Sequence, residues 1–96
     1  MAKSTPWGAA QTSKTIAEGI VSYMTASHGG ILISDQRRES MPDHLRSIPT
    51  FAGGNWYEED CDWAIVALAF PVHFPKDQDA AKSTLEWLKA NSKRFA

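Results

Sequence analysis

The spacing of apolar residues divides the chain into a first half typical of strands and a second half typical of helices. In the first half, short runs rich in β-branched and aromatic residues are separated by turn residues. They predict three strands, at residues 11–16, 20–25 and 31–34, which would form a small antiparallel β-meander. A helix over residues 13–27 is the rival interpretation, but Gly19 in its middle would cost about 1 kcal/mol.

Two glycines precede the third predicted strand, in the sequence Ser27-His28-Gly29-Gly30. We expect them to supply the positive φ angles that a hairpin turn requires. The same loop could instead be functional, because glycines let a ligand approach the backbone and an imidazole can serve as a base or a ligand. The sequence leaves both interpretations of His28 open.

The longest apolar run lies within residues 55–71, which we interpret as a buried central helix. Asn55 would be its N-cap, Glu58 would occupy the capping-box position, and Pro71 would end it. Because periodicity does not separate a buried helix from a buried strand, a strand over residues 62–70 stays open as the alternative.

Two further helices complete the predicted fold. Ser40 is expected to cap a short helix that ends near Ser47, and residues 76–91 form an amphipathic C-terminal helix. The predicted class is therefore α+β: a single domain over residues 1–96, loose at residues 1–4, in which the meander packs on two or three helices. The side chains expected to be buried are Trp63, Ile65, Val66, Leu68, Leu85 and Leu88.

Composition narrows the classes of function. Ten Lys and Arg residues balance eleven Asp and Glu residues, so we expect no direct binding of nucleic acid. No apolar run approaches the roughly 20 residues that span a bilayer, and no hydrophobic signal segment begins the chain, so we expect neither membrane insertion nor secretion. The single cysteine, Cys61, fits a reducing cytoplasm and is expected to be buried and structural. The surrounding acids disfavour the thiolate that a catalytic cysteine needs.

Four of the eleven carboxylates lie within five consecutive residues, at Glu58, Glu59, Asp60 and Asp62. Their spacing matches no calcium loop, and the histidines match no zinc spacing, so we expect no metal and no cofactor. A helix start accounts for about two of these acids. The remainder predict a surface that contacts basic residues of a partner, with Asp35 or Glu39 nearby. The residues predicted to bind a partner are Glu58, Glu59, Asp60, Asp62, Trp56, Tyr57 and His28.

Several short motifs, taken in order, carry a resemblance. They are Thr-Pro-Trp-Gly at 5–8, Ser-His-Gly-Gly at 27–30, Trp-Tyr-Glu-Glu-Asp at 56–60 and Ala-Phe-Pro at 69–71. In this combination the chain resembles, over residues 5–74, an uncharacterised domain family of phages, plasmids and integrative elements. The C-terminal helix departs most from that pattern. The resemblance implies an accessory protein of a mobile element, and such proteins are often inhibitors of host defence, including anti-CRISPR proteins. It carries over no catalytic residue.

Two hypotheses of function follow. The first is a non-enzymatic inhibitor, a monomer or homodimer in the cytoplasm of the host bacterium, that binds a protein or nucleoprotein complex of host defence. The second is a small enzyme or ligand-binding domain that uses His28 with Glu59 or Asp60. An enzyme should bring these groups together in a deep pocket, whereas a binder should spread them over an open surface.

Overall fold

The computed structural model describes residues 3–91, which adopt an α+β fold. A small hairpin comes first and a four-stranded antiparallel sheet follows, with strand order β3-β4-β5-β6. Four helices and one short 3-10 helix complete this part of the chain. In chain order the elements are β1 (Ser4–Thr5), β2 (Gly8–Ala9), β3 (Thr12–Ala17), β4 (Ile20–Met24), β5 (Gly29–Ile33), α1 (Asp35–Ser40), α2 (Asp43–Arg46), β6 (Trp56–Glu58), α3 (Trp63–Ala69), the 3-10 helix (Pro71–His73) and α4 (Gln78–Asn91).

The three predicted strands of the meander are confirmed as β3, β4 and β5, and the rival helix over residues 13–27 is wrong. The tight turn at Gly19, where φ is +80°, joins β3 to β4. A β-bulge between Thr15 and Ala17 interrupts the pairing of β3 with β4. The prediction did not include a fourth strand, which the structure places at the β5 edge.

One face of the sheet is covered by helices and contains the core. Residues that pair directly across antiparallel strands point to the same face. On this covered face lie Ile20, Ile31, Ile33 and Tyr57, all 6% exposed or less. They belong to one apolar cluster with the middle of α3 and the inner side of α4. The opposite face, which we call the open face, carries the half-buried residues Val21, Tyr23, Leu32 and Trp56.

The predicted central helix over residues 55–71 is wrong in its first half. Trp56–Glu58 form the edge strand β6, which pairs with β5, and the helix begins only at Trp63. Asn55 is not an N-cap: its carbonyl accepts the Ile33 N–H at 3.1 Å, and its amide donates to Asp35 at 2.7 Å. The alternative strand over residues 62–70 is also excluded, because Trp63–Ala69 is helical and ends before Pro71.

The predicted short helix is found as α2, and a further helix, α1, precedes it. Ser34 caps α1, since its hydroxyl accepts the Arg37 N–H at 3.1 Å. Ser40 ends α1 by donating to the Arg37 carbonyl at 2.8 Å, so the prediction that it caps the next helix is wrong. The second helix, α2, starts after Pro42 without a side-chain cap.

Gly29 and Gly30 lie within β5, and neither has the positive φ expected of a hairpin turn. Both positions need glycine because neighbouring atoms leave no room for a side chain. A Cβ on Gly30 would meet the ring of Trp7 and lie 2.7 Å from the Tyr57 carbonyl oxygen. A Cβ on Gly29 would meet Met24 and lie 2.7 Å from the Tyr23 carbonyl oxygen. Close packing, rather than turn conformation, therefore requires glycine here.

Burial follows the prediction at Ile65, Val66, Leu85 and Leu88. Trp63 and Leu68 are only partly buried, because they lie at the margin of the contact between α3 and the rest of the core. At the N-terminus, residues 1–2 lie outside the described range. Lys3 and Ser4 are held in the hairpin rather than loose, since the Lys3 carbonyl accepts the Ala10 N–H at 2.8 Å.

Candidate functional site

The acidic segment, residues 58–62, consists of the last residue of β6 and the connection to α3 rather than the first turn of a helix. Two of its four carboxylates serve the fold. The Glu58 side chain accepts the Cys61 N–H at 2.7 Å and the Asp62 N–H at 3.4 Å, which fixes the turn before α3. Asp62 is fully buried, and its carboxylate accepts the Phe51 N–H at 2.8 Å. Asp62 is therefore not available at the surface to contact a partner.

Glu59 and Asp60 are the members of the segment that face outwards. The Glu59 N–H donates to the Gly29 carbonyl at 2.9 Å, which anchors this residue at the beginning of β5. Its side chain is partly buried, and that of Asp60 is exposed. Within residues 3–91 the ion pair joins Arg46 and Asp43, so neither Glu59 nor Asp60 is neutralised by a basic side chain of that range.

Two cavities flank these outward-facing acids. One, of about 310 Å³, lies between Asp60 and α4 and is lined by Cys61, Ser83, Thr84 and Trp87. Trp87 is 57% exposed, which is unusual for a side chain of this size. The other cavity, of about 350 Å³, lies beside Glu59 and opens onto the covered side of the sheet; its lining is Ser22, Met24, Gly30, Ile31, Glu59, Trp63, Phe74 and Asp77.

His28 is not brought to either cavity. Its side chain is exposed, while its backbone forms a compact turn with Thr25, whose hydroxyl donates to the His28 carbonyl at 2.6 Å. The Thr25 N–H donates to the same carbonyl at 2.8 Å. The enzyme hypothesis requires a pocket that holds His28 together with Glu59 or Asp60. Neither of the two cavities beside these acids has His28 in its lining.

The two aromatics of the predicted partner-binding set have different places. Trp56 is half-buried on the open face, where its ring meets Trp7 edge-on, with centroids 5.7 Å apart, and Tyr23 at 5.7 Å. Tyr57 is 1% exposed in the core, with its hydroxyl 3.7 Å from the Met41 sulfur. Burial raises the pKa of the Tyr57 hydroxyl, although the nearby Arg38 charge opposes the shift. Tyr57 has a structural role rather than an accessible one.

Asp35 and Glu39, expected near the acidic surface, line a different cavity with Arg38, Arg46 and Ser47. Sequence reasoning instead missed Trp87 and Asp77. The signal for Trp87 was its position off the Ala81, Leu85 and Leu88 stripe, which places it on the exposed side of α4. No sequence signal joins Asp77 to Glu59, because the fold alone brings them to one cavity.

Neither a metal site nor a membrane span is found in the part of the chain that the structure describes. Over residues 3–91, no group of three or more His, Cys, Asp or Glu side chains is arranged to hold a metal ion. In the same range, no helix combines the length and the apolarity needed to cross a bilayer.

Comparison with known families matches residues 1–93 to the domain of unknown function DUF7007. The chain belongs to this family. The DUF7007 match includes the motifs at residues 5–8, 27–30 and 56–60, as well as the C-terminal helix, which had departed most from the pattern noted in the sequence. No curated protein and no solved structure matches the chain.

Proposed function

We propose that this DUF7007 domain is a non-enzymatic protein-binding domain that contacts basic residues of its partner through Glu59 and Asp60. The observation that carries the proposal is the pair of outward-facing carboxylates that form no ion pair within residues 3–91, of which Asp60 lies beside the exposed ring of Trp87. Exposed tryptophans are frequent energetic centres of protein interfaces, and carboxylates pair well with arginine.

The partner that we propose is a host defence complex, with the domain as its inhibitor in the bacterial cytoplasm. The support is the resemblance to proteins of phages, plasmids and integrative elements, in which inhibitors of CRISPR-type systems occur. A complex that holds nucleic acid presents Lys and Arg residues to the phosphates. An acidic surface that covers those residues would block the complex without any chemical step.

The binding surface is tested by charge reversal. The variant Asp60→Lys keeps the backbone of the turn, because Asp60 is exposed and carries none of the hydrogen bonds that fix the segment. Glu18→Lys is the matched control. It makes the same charge change at the turn near Gly19, at the opposite end of β5 from Glu59. Both variants should retain the circular dichroism of the parent.

The assay is restriction of a plasmid or phage in bacteria that carry an active CRISPR system, with the domain expressed in the same cells. We expect the parent and Glu18→Lys to relieve restriction and Asp60→Lys to relieve it less. In binding experiments with the captured complex, the affinity of the parent should fall as salt rises, because charge steers the association. Equal inhibition by both variants would place the working surface elsewhere. Unchanged restriction with the parent, in cells covering several CRISPR types, would refute the anti-CRISPR role.

A further inference from the structure

The cavity beside Glu59 is formed where the helices leave one end of the covered face of the sheet unfilled. Its floor is the β4 and β5 surface at Ser22 and Ile31, which pair with each other across the strands. Trp63 at the start of α3 and Phe74 after the 3-10 helix add two aromatic rings. With a volume of about 350 Å³, it lies near the lower end of the range for small-molecule sites, which is roughly 300–1,000 Å³.

Two carboxylates from distant parts of the chain line this mostly apolar cavity. Glu59 comes from the turn after β6, and Asp77 lies immediately before α4. Neither forms an ion pair with a basic side chain of residues 3–91. Lys14, which lies across from Ser22 on the same face, and Lys76, the neighbour of Asp77, are both exposed and form no such pair. The cavity thus presents negative charge beside aromatic walls.

Two carboxylates beside aromatic rings favour a guanidinium group over an ammonium group. An ammonium group is strongly hydrated and acts as a point charge, whereas a guanidinium group is flat, weakly hydrated and able to stack on aromatic rings while it donates to carboxylates. The chain already uses this contact internally, because the Arg37 guanidinium lies 5.1 Å from the centre of the Phe70 ring. Two carboxylates and the Ser22 hydroxyl provide acceptors for several of the five guanidinium N–H groups.

We propose that this cavity receives one arginine side chain of the protein partner, with its guanidinium between Glu59 and Asp77 and its stem against Met24 and the aromatic rings. The inference rests on the proposed protein-binding function and specifies it. Asp60 and Trp87 would contribute the surrounding charge and apolar surface, whereas the Glu59 cavity would select arginine over lysine.

The test uses the ¹⁵N-labelled chain and three small probes in low-salt buffer. The probes are N-acetyl-arginine N-methylamide, its citrulline analogue, which has a similar shape and no charge, and its lysine analogue. Two-dimensional NMR resolves the indole N–H signal of each tryptophan and the backbone amides. We expect the arginine probe, with a dissociation constant on the order of millimolar, to shift the Trp63 indole and the Ile31 amide and to leave the Trp7 indole unchanged.

Charge-neutral variants sharpen the result. Glu59→Gln and Asp77→Asn keep the size of each side chain and should each weaken binding of the arginine probe about tenfold. Glu18→Gln, which lies outside the cavity, should bind the probe as the parent does. If a cavity variant fails to fold, the comparison of arginine with citrulline on the parent still decides the question.

Several results would overturn the inference. Equal shifts with citrulline would show that charge is not recognised, and equal shifts with lysine would show that the guanidinium is not selected. Shifts at Trp87 without shifts at Trp63 would place the site in the other cavity. If Asp60→Lys disrupts binding to the partner complex while the arginine probe leaves Trp63 unshifted, the cavity inference fails and the protein-binding proposal stands. If the cavity binds arginine specifically but the domain inhibits no defence complex, the cavity inference stands and the proposed inhibition of host defence fails.

Discussion

The two faces of the four-stranded sheet are built in different ways. On the covered face, Ile20 and Ile33 lie beneath helices and are at most 1% exposed, so their contribution comes from complete removal from water. On the open face the half-buried ring of Trp56 contacts the rings of Trp7 and Tyr23. Depth of burial therefore stabilises one face, whereas aromatic contact geometry organises the other.

The open face also explains why two separate sequence motifs occur together. The Thr-Pro-Trp-Gly turn is closed by the Thr5 hydroxyl, which donates to the Gly8 carbonyl at 2.6 Å and accepts the Trp7 N–H at 3.1 Å. This turn presents Trp7 to Gly30, the second glycine of Ser-His-Gly-Gly, where a Cβ would meet the ring. Both motifs therefore contribute to packing on the open face, whatever further role His28 has.

The largest expected effect on stability distinguishes two adjacent residues of β5 that lie on opposite faces of the sheet. Ile33→Ala removes a 1% exposed side chain from the covered face and should cost about 2–5 kcal/mol of unfolding free energy, because a cavity remains. Leu32→Ala, the matched control on the half-buried open face, should cost clearly less. Chemical denaturation of both variants measures the difference. Equal losses would mean that the open face is as closely packed as the covered face.

The next effect tests close packing on the open face. Gly30→Ala should cost about 1–3 kcal/mol, since the added methyl group meets the Trp7 ring and the Tyr57 carbonyl oxygen. In a Trp7→Ala background the same substitution should cost less, because one of the two obstacles is gone. Thermal or chemical unfolding of the four proteins gives the result. A neutral Gly30→Ala substitution would show that the hairpin moves away at little cost.

A smaller effect measures the aromatic contact itself. A double-mutant cycle with Trp7→Leu and Trp56→Leu should give a coupling free energy of about 0.5–1.5 kcal/mol, as expected for an edge-on aromatic pair beyond its buried area. The value comes from the unfolding free energies of the parent, the single variants and the double variant. Additive losses would mean that the two rings are neighbours without specific interaction.

The smallest effect concerns Tyr57 on the covered face. It is absent at neutral pH and appears only in alkaline solution. Burial raises the pKa of the Tyr57 hydroxyl in the folded state above its unfolded value of about 10. Its contribution to stability is therefore fully present below pH 10 and is lost as the pH rises through the folded pKa. Unfolding curves between pH 8 and 11 should show a steeper loss for the parent than for Tyr57→Phe. Parallel curves would contradict the shift.

The elements predicted from the sequence are those whose residue patterns are local. The prediction is wrong at β6, where pairing with β5 decides the conformation. The β-branched runs at β3, β4 and β5 and the amphipathic spacing of α4 contain their own signal. The three residues of β6 are too few to show alternation, so Asn55 and the following acids favoured a helix start. Glu58 does not take the expected capping-box position of a helix that begins at Asn55. Its side chain instead accepts the N–H groups of Cys61 and Asp62, in the turn ahead of α3.

The sequence predicted an acidic segment at the surface but not which of its members are buried. The concentration of acids correctly placed Glu59 and Asp60 at the surface, because charged residues without an internal partner stay in water. Burial of Asp62 depends on the Phe51 N–H, eleven residues upstream, and the shared cavity of Glu59 and Asp77 depends on how the helices pack. Such contacts depend on tertiary structure and leave no trace in local sequence.

The edge position of β6 has a consequence for the order of folding. Short turns join β3, β4 and β5, so these strands can pair after little loss of chain entropy. Strand β6 reaches β5 only after the chain has closed over α1 and α2, and contacts so distant in sequence form slowly. We therefore expect the meander to assemble first and β6 to add later, which would complete the aromatic contact between Trp56 and Trp7. On this pathway, the acidic segment becomes ordered only at the last step, after the sheet that supports it.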